Sequence, residues 1–325
     1  MLLKKRSKKA FTLLIVALAF NACMPADKKD ANQITRRLAP AAGESSPVSE
    51  SELIDPGKYR LKYDLGAAAI ELKLSRELKE ISGLSLSSDG AYLLAVNDEL
   101  GIVYYLDKES GRIQKELSFG APGDYEGLEM VGGKLFIARS DGVLFEMDAS
   151  EKAGSVARSY YTPLNADYDV EGLAYDRVNH RLLLACKGKA GEGKAFENKR
   201  AIYGFSLDSL QLSKEPVYLL SEEMAIAEEA IREAWWTDVL KGHFSPSAIA
   251  VHPITGHIYI VSSKGKARSV LVMAPSGELL SIRELDKDPF NQPEGICFEK
   301  DGTMYISTEA KGKRGKGRVY RFRMF

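Results

Sequence analysis

Short apolar runs punctuate the chain from residue 59 to its end, in a recurring order. A Gly-Leu-x-apolar phrase opens each round, and a polar turn follows, such as Ser87-Ser88-Asp89-Gly90 or Lys300-Asp301-Gly302. Next stands a run of apolar residues: Tyr92 to Val96, Leu135 to Ala138, Leu182 to Cys186, Ile258 to Val261 and Met304 to Ser307. A third segment comes after a polar or glycine-containing bend: Val103 to Asp107, Val143 to Asp148, Ile202 to Leu207, Val270 to Met273 and Val319 to Phe322. Brief apolar runs bounded by turn residues predict short β-strands. More polar fourth strands fit Ile113 to Leu117 and Pro216 to Leu220. Ahead of the rounds, Tyr59 to Leu65 and Ile70 to Leu74 alternate apolar and polar, which predicts two half-buried strands.

The opening phrase sets the period. Glu-Gly-(Leu/Ile) occurs at Glu126-Gly127-Leu128, Glu171-Gly172-Leu173 and Glu294-Gly295-Ile296, with weaker copies at Ser82-Gly83-Leu84 and Ser247-Ala248-Ile249. Successive copies lie 44, 45, 76 and 47 residues apart. Four short antiparallel strands per round of about 45 residues mark a β-propeller blade. The expectation is an all-β fold: a β-propeller of five four-stranded blades, or six if residues 53–78 or the long gap supply another. The last round has three strands, and the early strands at 59–74 can supply its fourth, closing the ring without an open sheet edge. In the long gap, Met224, Ile226, Ala227, Ile231, Trp235 and Leu240 recur near helical spacing in a Glu- and Ala-rich stretch. That predicts one helical insertion at about 222–241, laid on the face or edge of the ring.

Composition adds little to the fold and more to the setting. The 325 residues carry 45 basic and 45 acidic side chains, so no net field draws nucleic acid, and none is expected as a partner. At the start, Lys4, Lys5, Arg6, Lys8 and Lys9 precede an apolar stretch of 11 residues, Ala10 to Phe20. A bilayer span needs about 20, so the stretch reads as a targeting segment. It ends in Phe20-Asn21-Ala22-Cys23, which resembles a bacterial lipoprotein lipobox with Cys23 as the lipid-accepting residue; an ordinary cleaved secretory signal is the alternative. Met24 after the cysteine, by resemblance to Gram-negative sorting, points to the outer membrane. Residues 1–23 are then a lipoprotein signal peptide, 24–56 a flexible tether poor in large apolar residues, and 57–325 the propeller. Cys186 and Cys297 sit in apolar runs of different rounds and read as buried free thiols.

The phrase also carries the candidate chemistry. Each first strand of a propeller blade lines the central channel, so equivalent positions meet at one mouth. One position before the glycine stand Ser82, Glu126, Glu171, Ser247 and Glu294; two residues earlier stand Glu80, Asp124, Asp169, Ser245 and Gln292. Offsets of two share a face of an extended strand. Six carboxylates (Glu80, Asp124, Glu126, Asp169, Glu171 and Glu294) are therefore expected at one mouth, where like charges raise one another's pKa or recruit a cation. Oxygen donors without His or Cys favour a hard cation such as Ca²⁺; the plainer alternative is that these acids brace blade turns. A second ring follows the second strands: Asn97, Asp98, Arg139, Lys187, Lys189, Lys264, Lys266, Glu309 and Lys311. Its basic members would suit an anionic ligand bridged by metal, or remain solvated loop residues. His252 and His257 flank the Pro253-Ile254-Thr255-Gly256 turn, where surface roles are expected. No Gly-x-Ser-x-Gly elbow, His-Glu-x-x-His or Walker loop occurs.

Lys79-Glu80-Ile81-Ser82-Gly83-Leu84, the repeated Glu-Gly-Leu and Gln292-Pro293-Glu294-Gly295-Ile296 together resemble the SdiA-regulated family of bacterial envelope propellers, itself similar to phytase-like and esterase-like propellers. The resemblance covers about residues 58–325. It implies a propeller outside the cytoplasm that binds calcium at the channel mouth. Three functions are compatible with these residues. The leading one is a non-enzymatic, lipid-anchored envelope propeller binding a small anionic ligand or an envelope protein at that mouth. The second is a calcium-dependent phosphoric-ester hydrolase using Arg139, Lys187 and Lys264 to neutralise charge. The third is a structural scaffold docking through the 222–241 helix.

Overall fold

The computed structural model describes residues 59–150, 157–224, 240, 244–263 and 268–325. Among them stand 21 strands in five antiparallel sheets. The first strand, β1 (Ile70–Lys73), belongs to the last sheet. Blade 1 contains β2 (Ile81–Leu86), β3 (Tyr92–Asn97), β4 (Ile102–Asp107) and β5 (Ile113–Ser118), hydrogen-bonded in chain order. Blade 2 contains β6 (Tyr125–Val131), β7 (Lys134–Arg139), β8 (Leu144–Asp148) and β9 (Arg158–Tyr160). Blade 3 has β10 (Val170–Asp176), β11 (Arg181–Cys186) and β12 (Arg200–Ser206), whose outer edge is shared by two short strands, β13 (Gln211–Leu212) and β14 (Tyr218–Leu220). Blade 4 contains β15 (Pro246–Val251), β16 (Ile258–Ser262), β17 (Ser269–Met273) and β18 (Leu279–Glu284). Blade 5 runs β19 (Pro293–Phe298), β20 (Met304–Thr308) and β21 (Arg318–Phe322), and β1 pairs antiparallel with β21 as its fourth strand.

The blades number five among the described residues. No sixth is built from residues 59–78, because the strand in that stretch, β1, is spent on blade 5. The innermost strands β2, β6, β10, β15 and β19 pack each on the next, and β19 returns to β2, so the ring is closed.

The apolar runs have a simple cause. Sheets packed face to face bury both sides of their middle strands, so consecutive side chains enter different cores. Leu93 of β3 packs with Leu72, Leu84 and Tyr305 between blades 5 and 1, while its neighbour Leu94 packs with Leu128 and Leu135 between blades 1 and 2. Five such apolar clusters fill the five gaps between blades.

Two expectations fail here. Residues Tyr59 to Leu65 form no strand. Their alternation instead presses Tyr59, Leu61, Tyr63 and Leu65 onto the core between blades 4 and 5. Tyr63 is anchored there, its hydroxyl donating to the Gly302 carbonyl at 2.6 Å and meeting His252 Nε2 at 2.9 Å. The same segment covers the two histidines expected at the surface, leaving His252 2% and His257 7% exposed. The helix expected at 222–241 falls almost wholly outside the described residues, as do Cys23 and the tether; the described residues hold no α-helix, and none that could cross a membrane.

Candidate functional site

Each innermost strand breaks register at the recurring phrase. Tyr125 pairs with Arg139 and Gly127 with Ala138, which leaves Glu126 as an extra residue; the same slip isolates Glu171 in β10, Ser247 in β15 and Glu294 in β19. In β2 the irregularity takes in Ser82 and Gly83. A β-bulge bends the strand and re-aims the side chain of its unpaired residue. The repeat therefore places one redirected side chain per blade around the channel axis: three glutamates and two serines.

The glycine after it is a packing requirement. A Cβ added to Gly127 would lie 2.7 Å from the Leu173 Cβ of the next blade, and one on Gly172 would meet the Ile249 backbone nitrogen at 2.9 Å. Backbone thus touches backbone around the innermost ring. What remains on the axis is a cavity bordered by Glu126, Glu171, Glu294 and these glycines. It leaves about 10 Å³ for the centre of a water-sized sphere, the room of one water or small ion rather than an organic molecule.

Glu171 and Glu294 are 6% and 5% exposed, and Glu126 is half-buried. Glu171 Oε1 accepts a 2.7 Å hydrogen bond from Lys187 Nζ. Oε2 of Glu294 is buried with no partner. Burial pushes the Glu294 carboxyl up to about 8, and Glu171 and Glu309 add to the rise while Lys187 opposes it. Burial likewise raises Glu126 well above the carboxylate range, reinforced by Glu171, Asp124 and Glu294. Glu171 is raised mainly by burial, and Lys187 holds the rise back.

The remaining acids stand further out. Asp124 accepts from the Ser140 hydroxyl and is exposed; it presses on both Glu126 and Glu171. Asp169, half-buried at φ +53°, is raised by burial and eased by Lys187. Glu80 pairs with Lys79 at 3.0 Å on a side chain 41% exposed.

The described members of the second ring are largely engaged with other protein groups. Asp98 is raised to about 6 by burial, with Glu80, Glu99 and Asp124 adding to it. Asn97 is consumed by the turn after β3: its Nδ2 donates to the Glu77 carbonyl and its Oδ1 accepts from Leu100 N–H. Arg139 grips Asp141 through two bonds of 2.9 and 2.8 Å and lies over the Phe145 ring. Lys189 is held by Asp167 and Glu192, and Lys311 by Asp288. Lys264 and Lys266 lie outside the described residues. Glu309, in the position that Lys187 holds in blade 3, belongs with the channel acids: burial raises it to about 7, helped by Asp98, Glu80 and Glu171.

The mouth is therefore acidic, with the Lys187 ammonium inside it. Burial works against that ammonium, yet Glu171, Glu294 and Asp169 keep its pKa above the ordinary lysine value. Among the described residues no three His, Cys, Asp or Glu side chains already stand close enough to coordinate one ion.

The fold and this ring of bulges define a five-bladed propeller with an acidic axial mouth. The chain belongs to the SdiA-regulated family, whose profile matches residues 62–311. Among solved structures it is similar to Myxococcus xanthus glutaminyl cyclase, at 15% identity and a TM-score of 0.50 over 79% of this chain and 95% of that one. Similarity extends to the PQQ-bound aldose sugar dehydrogenase of Streptomyces coelicolor (12% identity, TM-score 0.47, 80% of this chain and 98% of that one). Kuenenia stuttgartiensis hydrazine synthase follows, with 13% identity, a TM-score of 0.41, and 72% and 56% of the two chains covered. At these identities the likeness is one of fold. A search of the curated proteins finds no match.

Proposed function

We propose that the protein is a lipid-anchored envelope propeller whose channel mouth takes up a hard divalent cation, Ca²⁺, and through it holds a ligand or partner protein. The observation that carries this reading is Glu294: a buried carboxylate on the axial cavity with one oxygen left unpartnered. Burial makes ionising this carboxyl costly, and a cation at its free oxygen relieves the cost. The donor set fits the ion, since Glu126, Glu171 and Glu294 offer only oxygens. Asp124, Asp169, Glu80 and Glu309 would contribute field rather than contact. Calcium would supply local positive charge where the acids otherwise repel anions, so an anionic group on a ligand becomes acceptable there.

Calorimetry with CaCl₂ tests this. Wild type should bind, and Glu294→Gln and the double variant Glu126→Gln/Glu171→Gln should weaken binding at least tenfold; unchanged binding in both sinks the site. The anchor is a separate claim, tested by Cys23→Ser, which should release the protein from membranes. The hydrolase reading draws no support from Arg139 and Lys187, which are engaged with Asp141 and Glu171.

A further inference from the structure

Lys187 is the first residue after β11, and its place is fixed by the backbone: its N–H donates to the Asp169 carbonyl at 2.8 Å, and the next N–H, of Gly188, to the Tyr168 carbonyl at 2.9 Å. From there the side chain reaches Glu171 at 2.7 Å, yet the two partners are unequally enclosed. The Lys187 side chain is 32% exposed and that of Glu171 8%. A lysine on a four-carbon stem can swing its ammonium into water while its stem stays put, whereas the buried glutamate has nowhere to go.

The corresponding positions elsewhere bring no such charge. Blade 1 has Asp98 there, blade 2 has Ser140, whose hydroxyl donates to Asp124, and blade 5 presents Glu309. Beside this pair Glu294 stands buried with Oε2 unpartnered, on a cavity with room for about one small ion.

Resting on the calcium reading above, we propose that Lys187 is a tethered counter-cation of the axial acids, which an incoming divalent ion must displace from Glu171. Glu171 is common to both: its Oε1 now holds the ammonium, and it borders the cavity an ion would enter. The lysine keeps the ring of acids stable without metal and sets the concentration at which metal takes over. Specificity follows, because a monovalent ion brings no more charge than the ammonium it would replace.

Titration of the purified full chain with CaCl₂ alone tests the exchange. Lys187→Met should bind Ca²⁺ at least tenfold more tightly than wild type, while Lys187→Arg, which preserves the pair, should stay within about threefold. Lys187→Met should also melt lower than wild type without calcium and regain more of its melting temperature when calcium is added. In wild type carrying ¹⁵N-labelled lysine, calcium should shift the ammonium resonance that is absent from Lys187→Met. Equal or weaker affinity in a folded Lys187→Met overturns the proposal; if Glu294→Gln still weakens binding, the calcium reading survives that failure. Binding indifferent to Glu294→Gln removes the site itself and the exchange with it.

Discussion

Gly127 carries no Cβ because Leu173 of the neighbouring blade occupies the place: an added Cβ would come within 2.7 Å of the Leu173 Cβ. Gly295 stands in the same relation to Leu84, at 2.7 Å, with the Ser307 hydroxyl closer still. Blade 4 has Ala248 at this point, so one of five positions accepts a methyl. Gly127→Ala should therefore destabilise the fold by about 1–3 kcal/mol through overpacking. Ala248→Gly should cost about 0.5–1 kcal/mol through added chain freedom. Denaturant unfolding of the two variants checks the order, which reverses if the innermost strands are not in contact.

The buried acids give stability an inverted pH dependence. In the unfolded chain Glu294 titrates near 4.5, and in the fold it is pushed up to about 8. Between those values the folded state holds more protons than the unfolded one, so stability is lost as pH rises through this window. Glu309, raised to about 7, acts in the same direction over the lower part of it. Melting temperature should fall steadily from pH 5 to pH 8.5 in the absence of divalent ions, and Glu294→Gln should flatten the slope. A profile that rises across this range would contradict the assignment of these carboxyls to a desolvated cluster.

How much of this was legible in the sequence follows from what each signal measures. Period and phase fixed the five rounds, because a Gly-Leu step at each innermost strand is a packing necessity that every blade must meet. The acids at 126, 171 and 294 were legible for the same reason. The bulges that re-aim residues 126, 171 and 294 could not be read from a residue count, since an extra residue in one strand is defined by its partner strand. The pairing of the rim charges was not legible because it is decided in three dimensions: Arg139 has Asp141 two residues away, but Lys187 and Glu171 are 16 apart and Lys108 and Glu299 are 191 apart. Tyr59 to Leu65 alternates as a strand does, yet packs as a bent strap.

That strap supplies an opposite pH response at the acid end. Tyr63 has one hydroxyl proton, given to the Gly302 carbonyl at 2.6 Å, so His252 Nε2–H donates to the Tyr63 oxygen. His252 Nδ1 accepts from the N–H groups of Ile254 and Thr255, at 3.2 Å each. Both ring nitrogens are thus committed in the neutral form, and burial, with His257 adding to it, lowers the pKa from 6.5 to about 4. The unfolded chain binds the extra proton between those values, so this stabilisation is complete above pH 6.5 and disappears as pH falls towards 4. The NMR titration of His252 should show a neutral ring down to about pH 4, and Tyr63→Phe should cost about 1–3 kcal/mol by leaving the His252 donor and the Gly302 acceptor unpaired.

The closure of the ring depends on a strand that lies far from its partner in sequence. Ile70 to Lys73 pair with Arg318 to Arg321, and Leu74 N–H continues the contact to the Gly317 carbonyl at 2.9 Å. Leu72 and Leu74 are 2% and 0% exposed in the core shared with blade 1. Without β1, the β21 backbone would become an open edge, and an unpaired strand edge recruits other chains. Leu74→Ala should destabilise the propeller by about 2–5 kcal/mol. Removal of residues 1–73 should add large aggregates in light scattering, while removal of residues 1–56 should leave the melting temperature unchanged. A soluble, cooperatively melting protein starting at residue 74 would show that blade 5 closes the ring without its fourth strand.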